Sequence, residues 1–254
     1  MKISALQMDI ALEKEQNYVK IENHLQKIEG GCDIFVLPEM FTTGFSMESE
    51  KICETHEGAT LEFMKTIAQK YNCAICGSVA VKDGENFYNR FYFVEESGKY
   101  TYYDKHHLFR MAGEHNHYSA GSERVVVEYR GVRILLQVCY DLRFPVFSRN
   151  RNDYDMAFYV ASWPTPRVGA WNKLLDARAI ENQVFVVGVN RIGDFEGINY
   201  IGGTHIINFK GEKMVSAGDN KEEVISAELD FKSLERFREV FPAHLDSDVI
   251  NYEL

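Results

Sequence analysis

Residues 131–145 read GVRILLQVCYDLRFP. Ile134, Leu135, Leu136 and Val138 make a short, nearly continuous apolar run, the pattern of a strand covered on both faces rather than on one. Such a strand needs layers packed above and below it, which points to a layered α/β fold. The run breaks off at Cys139 into polar Tyr140, Asp141 and Arg143, so a thiol stands at a strand end. There the backbone holds a side chain rigidly while leaving it a path to substrate. Taken alone, Cys139 reads as a small core hydrophobe; the residues at other strand ends argue for more.

Residues 3–8 read as a first strand, and Tyr18, Ile21, Leu25 and Ile28 then recur at helical spacing until Gly30 and Gly31. IFVLPEM, from Ile34 to Met40, is a second strand, with Glu39 at its end. Leu61, Met64, Ile67, Ala68 and Tyr71 trace another helix face, CAICGSVAV (73–81) a third strand, and Asp83 and Gly84 a turn into strands at 89–94 and 99–103. The last of these runs into YDKHHLF and leaves Lys105 at its end. After a polar, histidine-bearing loop at 113–121 come VVVEY, the Cys139 strand and MAFYVASWP, which ends at Trp163. A helix follows in which Trp171, Leu174, Leu175 and Ile180 are the expected buried positions. VFVVGVNR, GGTHIINF and EVISAELD are further strands, and a charged helix, LERFREV, precedes a polar tail. Without a linker, a composition shift or an internal repeat, residues 1–254 read as a single α/β domain of two mixed sheets packed together with helices outside.

The formal net charge of −10, without a lysine or arginine block, argues against nucleic acid as a partner. No stretch approaches the roughly 20 apolar residues of a membrane span. MKISALQMDI lacks the apolar segment of a secretory signal, and the five cysteines are odd in number and scattered. The expectation is a cytoplasmic protein with free thiols.

Glu39, Lys105 and Cys139 each follow an apolar strand, and together they make a coherent acyl-transfer set. A thiol of pKa about 8.5 is mostly protonated at neutral pH and needs a base or a nearby cation to become a nucleophile. Glu39 fits the base. Lys105 fits a stabiliser of thiolate and oxyanion, a contribution whose loss typically costs about 100-fold or more in rate. The backbone N–H of Tyr140, next after the thiol, is the natural second oxyanion donor. The competing reading is three unrelated residues, with Lys105 solvated.

LPEMFTTGF around Glu39, YDKHHLF around Lys105 and CYDLRFP around Cys139 resemble the three signature blocks of the nitrilase superfamily of carbon–nitrogen hydrolases, in that family's chain order. The likeness runs from QMDI through ASWP and LLDARAIENQVFVVGVNR to the final strand. CYDLRFP followed by ASWPTPR and ARAIENQ resembles most the omega-amidase branch, which hydrolyses the side-chain amide of 2-oxoglutaramate and 2-oxosuccinamate. The resemblance implies a four-layer αββα sandwich, a homodimer, no cofactor and no metal. It also implies a Glu39–Lys105–Cys139 triad in which Cys139 forms a thioester. Carried over from the same family, Glu114 in GEHNHYSAG is the match for a second glutamate that positions lysine and substrate; the alternative is an exposed loop carboxylate. Where many relatives read GxSxxxDPxG, this chain has GGTHIINFKG, with Thr204, Asn208 and Phe209 at the changed positions, which puts the local turn geometry in question.

Arg143 lies four residues after the thiol. Its guanidinium suits the carboxylate at the far end of a 2-oxo acid amide, or else pairs with Asp141 or Glu39. Trp163 walls the pocket or packs in the core, and Arg167 is a weaker substrate-binding candidate. Other readings of the whole are another amidase or carbamoyl-amide hydrolase of the superfamily, and an inactive member that binds. Cys73 and Cys76 form a CxxC, but an offset of three along a strand points them to opposite faces. His106, His107, His115 and His117 lack a metal-site motif, and Gly202–Gly203 is no phosphate loop.

Overall fold

In the computed structural model, which describes residues 1–246 and 248, two sheets lie face to face between helices in an αββα sandwich. The chain enters through β1 (Lys2–Gln7), α1 (Lys14–Leu25) and β2 (Ile34–Val36), then α2 (Ser49–Ile52), β3 (Glu54–Thr55) and α3 (Ala59–Tyr71). A meander of β4 (Ala74–Asp83), β5 (Asn86–Val94) and β6 (Tyr100–Asp104) extends the first sheet. The second sheet starts with β7 (Val126–Tyr129), β8 (Val132–Val138) and β9 (Met156–Ala161), followed by α4 (Val168–Asn182) and β10 (Phe185–Asn190). A separate hairpin, β11 (Ile192–Phe195) and β12 (Ile198–Ile201), precedes β13 (His205–Ile207) and β14 (Lys213–Ser216). Finally β15 (Glu223–Glu228) returns to the first sheet, and α5 (Phe231–Val240) closes the chain. Most of the polar tail expected after it lies outside the described residues.

The strand orders are β15-β1-β2-β4-β5-β6, with β3 beside β4, and β14-β13-β10-β9-β8-β7. Both sheets are mixed: β1, β2 and β4 run parallel, as do β8, β9 and β10, while hairpins and the returning β15 supply the antiparallel edges. Alternating side chains sort each strand between two interiors. Ile34, Val36, Phe91 and Phe93 meet Ile134, Leu136, Val138 and Phe158 between the sheets. On the outer face of the first sheet, Leu6, Phe35 and Ile75 pack under Ile21 and Leu25 of α1 and Leu61 and Met64 of α3. On that of the second, Leu135, Tyr159 and Val186 pack under Trp171 and Leu175 of α4. As the CxxC spacing predicts, Cys76 faces the inter-sheet core and Cys73 the outer one.

Two expectations need correction. Ile180 is 55% exposed: it lies nine residues beyond Trp171, half a turn around the helix from it, and Arg178, Ala179 and Asn182 occupy the inward stripe instead. The second strand ends at Val36 rather than Met40, because Pro38 has no N–H to give the ladder. Glu39 therefore stands in a turn beyond the strand, beside Met40 in a left-handed conformation (φ 44°). Unforeseen from the sequence are the short α2, β3 and β14 and the β11–β12 hairpin. The hairpin's Glu196–Gly197 corner has both φ angles positive (49° and 76°), the requirement of a type I′ turn.

At the changed GGTHIINFKG segment the turn is rebuilt by Asn208. Its Oδ1 accepts the N–H groups of Lys210 and Glu212 at 2.9 and 3.1 Å, and its carbonyl accepts that of Gly211. Thr204 joins β13 to β10 by accepting the Asn190 N–H at 3.0 Å.

Candidate active site

The C-terminal ends of β2, β6, β8 and β9 converge across the gap between the sheets. Lys105 is the first residue after β6, Cys139 the first after β8 and Ser162 the first after β9. Glu39, Lys105 and Glu114 are fully buried there. Lys105 Nζ donates to Glu39 Oε1 at 3.1 Å and to both oxygens of Glu114 at 2.9 Å. Glu39 Oε1 also accepts Asn89 Nδ2 at 2.7 Å, and its Oε2 accepts the Ser162 N–H at 2.7 Å. The Phe45 ring lies 5.1 Å from the ammonium. Glu114 is thus no exposed loop carboxylate: Gly113, at φ 77°, turns it inward, and it also accepts the Phe109 N–H.

Cys139 takes up a left-handed backbone (φ 48°), a conformation that costs a β-carbon-bearing residue energy and is retained where the surroundings impose it. Its thiol lies within electrostatic reach of Glu39 and of Lys105. Burial pushes the thiol well above the ordinary range and Glu39 adds to this, while Lys105 opposes both. Burial alone would lower the Lys105 pKa, but Glu114, Glu39 and the thiol outweigh it and hold the ammonium charged. Glu114 is raised, by burial first and by Glu39, against the pull of Lys105. The resting arrangement is therefore a protonated thiol aimed at a carboxylate that a fixed ammonium accompanies. Chemically, it can pass a proton from sulfur to Glu39 and meet developing negative charge with Lys105.

A pocket opens over Cys139 and Lys105, walled by Phe45, Phe109, Tyr140, Trp163 and Tyr200. Arg143 and Arg167 supply its cations. Arg143 is exposed and pairs with neither carboxylate suggested for it: Glu39 is occupied as above, and Asp141 binds Tyr103, His107 and the Val138 N–H. Its guanidinium lies 5.1 Å from the Trp163 ring centre. Arg167, half-buried, lies over Phe109 at 5.2 Å. Trp163 belongs to both readings offered for it, being 3% exposed within the core under α4 while one part lines the pocket. Asn190 fixes it, accepting its N–H at 2.7 Å and donating to its carbonyl at 2.9 Å. Tyr140 is half-buried, edge-on to Phe109 and Phe144.

Sequence reasoning did not single out Asn89, Ser162 or Phe45. Asn89 looks like any polar position of an alternating strand. Ser162 acts through its backbone, and Phe45 reads as apolar filler. Of the histidines, His115 and His117 are exposed, and among the described residues no group of three or more His, Cys, Asp or Glu side chains is placed to hold a metal ion.

The carbon–nitrogen hydrolase family model matches residues 2–239. Omega-amidase YafV of Escherichia coli is 48% identical over 250 residues, covering 98% of this chain and 97% of its own. The 2-oxoglutaramate amidase of Bacillus subtilis is 35% identical over 250 residues, with 96% of each chain covered. Among solved structures, a carbon–nitrogen hydrolase superfamily protein from Xanthomonas campestris, with an arsenic adduct in its active site, superposes with a TM-score of 0.96 at 39% identity. The match covers 100% of this chain and 99% of that one.

Proposed function

The chain belongs to the carbon–nitrogen hydrolase family, and we propose that it is an omega-amidase, releasing ammonia from the side-chain amide of small 2-oxo acid amides such as 2-oxoglutaramate and 2-oxosuccinamate. The observation that carries the mechanism is the buried Glu39 carboxylate, bonded at 3.1 Å to Lys105, which lines the same pocket as the Cys139 thiol. Cys139 Sγ attacks the amide carbon as Glu39 takes the thiol proton. The oxyanion of the tetrahedral intermediate forms against Lys105 Nζ and the Tyr140 N–H. Glu39 hands its proton to the departing nitrogen, ammonia leaves, and a Cys139 thioester remains. Water then attacks the thioester with Glu39 as base, a second tetrahedral intermediate collapses, and the thiol is regenerated as the 2-oxo diacid departs. Glu114 holds the Lys105 ammonium in place throughout.

Arg143, exposed in the pocket wall and free of any ion pair among the described residues, suits the substrate's own carboxylate, with Arg167 as the second cation. Trp163 and Tyr140 close the apolar flanks between. We further infer that residues 1–254 act as one domain in a cytoplasmic homodimer. The five unpaired cysteines support the compartment, and the resemblance to the nitrilase superfamily supports the dimer.

The test is ammonia release from 2-oxoglutaramate, glutamine and a simple aliphatic amide, with Cys139→Ala as control. Release from the 2-oxo acid amide alone, abolished in the variant, is the expected result. Release only from the other amides would remove the omega-amidase assignment and keep the triad.

A further inference from the structure

Asp141 is fully buried two residues beyond Cys139, and its carboxylate accepts hydrogen bonds from both of the strand ends that carry the reacting groups. Its Oδ2 accepts the Val138 N–H at 2.9 Å and the Tyr103 hydroxyl at 2.8 Å. Its Oδ1 accepts the His107 N–H at 2.9 Å and the His107 Nδ1–H at 2.8 Å. Val138 immediately precedes Cys139, while Tyr103 and His107 flank Lys105 by two residues on either side. The Tyr103 hydroxyl in turn accepts the His106 N–H at 3.1 Å, and His107 is stacked on Phe144, ring centres 3.8 Å apart. One carboxylate therefore ties the last peptide of β8 to the turn after β6, across the gap between the two sheets.

Resting on the reading of Cys139 as nucleophile, we propose that Asp141 is a positioning residue that fixes the separation of Lys105 from Cys139 and imposes the left-handed backbone at the nucleophile. All four contacts call for an acceptor, which the two carboxylate oxygens supply. An asparagine keeps only one acceptor oxygen, and either way round its amide nitrogen faces a backbone N–H that cannot turn away: that of His107 in one orientation, that of Val138 in the other. The elbow and the lysine turn then lose their common anchor. Since a misplacement of about 1 Å can cost about 100-fold in rate, the effect belongs in turnover rather than in substrate binding.

Asp141→Asn is expected to lower kcat for 2-oxoglutaramate by about 10–100-fold per folded molecule, with KM changed by less than about threefold. The folded fraction is counted by near-ultraviolet circular dichroism. A kcat per folded molecule within twofold of the parent enzyme would overturn the proposal, since a purely structural role changes only the folded fraction. If Asp141→Asn does not fold, His107 decides. His107→Ala should lower kcat, and His107→Asn, whose amide restores a donor near Nδ1, should recover part of it; parental kcat in both would overturn the proposal. A Cys139→Ala control that still released ammonia would bring down the nucleophile reading and this inference with it. A dead control beside an undiminished Asp141→Asn would bring down this inference alone.

Discussion

Lys105 and Glu114 form a fully buried ion pair in which the ammonium nitrogen lies 2.9 Å from both carboxylate oxygens. Removing one partner of such a pair leaves an uncompensated charge in the interior, at a typical cost of about 3–5 kcal/mol. Glu114→Ala should therefore destabilise the fold by that order in urea titrations. Glu114→Gln keeps the shape and an acceptor, and should cost about 1–3 kcal/mol while lowering kcat by about tenfold or more. The Lys105 pKa is raised, so its contribution to stability is fully present below the unfolded lysine value near 10 and is lost only as pH rises through the folded one. Loss of activity between pH 7 and 9 should accordingly not come from Lys105.

The same set makes a prediction for the thiol. Burial and Glu39 raise Cys139 well above the ordinary range, so the resting sulfur is protonated at pH 7 and Glu39 is the base proposed to take its proton. Inactivation by iodoacetamide should keep accelerating as pH rises through 8.5, whereas a preformed thiolate gives a rate that has already levelled off by pH 7. Glu39→Gln, which retains an acceptor but not a base, should slow ammonia release by about 100-fold or more.

Most of this site is legible in the sequence because buried strands write continuous apolar runs. Where such a run stops, at Val138 and shortly before Glu39, the next reactive side chain is conspicuous, while Lys105 follows an edge strand, YTYYD, of which only Tyr103 is buried. Glu114 had no such marker. It follows no strand, and its burial depends on a positive φ at Gly113 and on a partner nine residues back. Asn89 stayed hidden because its contact with Glu39 spans fifty residues. Ile180 misled because composition marks it as core while the phase of α4 places it opposite Trp171. The β11–β12 hairpin, which brings Ile198 and Tyr200 to the pocket, turns on Glu196–Gly197, a pair that carries less turn signal than Asn-Gly or Asp-Gly.

Arg143 supplies the test of substrate choice. A bidentate arginine–carboxylate contact is stronger than a neutral hydrogen bond, and lysine does not reproduce its fork. Arg143→Ala should raise KM for 2-oxoglutaramate by about 10–100-fold and leave that for a neutral aliphatic amide within about threefold. Arg143→Lys should fall between. Equal rises for the acidic and the neutral substrate would remove Arg143 from carboxylate recognition.

Outside the site, His205 sets an acid limit on stability. It is 6% exposed between α4 and β14, with Nδ1 2.8 Å from Ser216 Oγ and Nε2 2.9 Å from Asn172 Oδ1. The Ser216 and Asn172 contacts suit a neutral ring that donates from Nε2 and accepts at Nδ1, with the Lys213 ammonium 3.4 Å from Nε2. Burial, reinforced by the nearby Lys213 ammonium, lowers its pKa from 6.5 to about 4. A depressed histidine binds its proton more tightly in the unfolded chain, so folding stability falls as pH drops through the interval between the two values. The contribution is fully present above pH 6.5 and lost progressively down to about pH 4, to a total of about 3 kcal/mol at 1.36 kcal/mol per unit. His205→Gln removes the titrating group. The difference in unfolding free energy between pH 7 and pH 4.5, measured in urea, should shrink by about 2–3 kcal/mol in the variant. An unchanged difference would mean that His205 is protonated in the folded protein and that the acid sensitivity arises elsewhere.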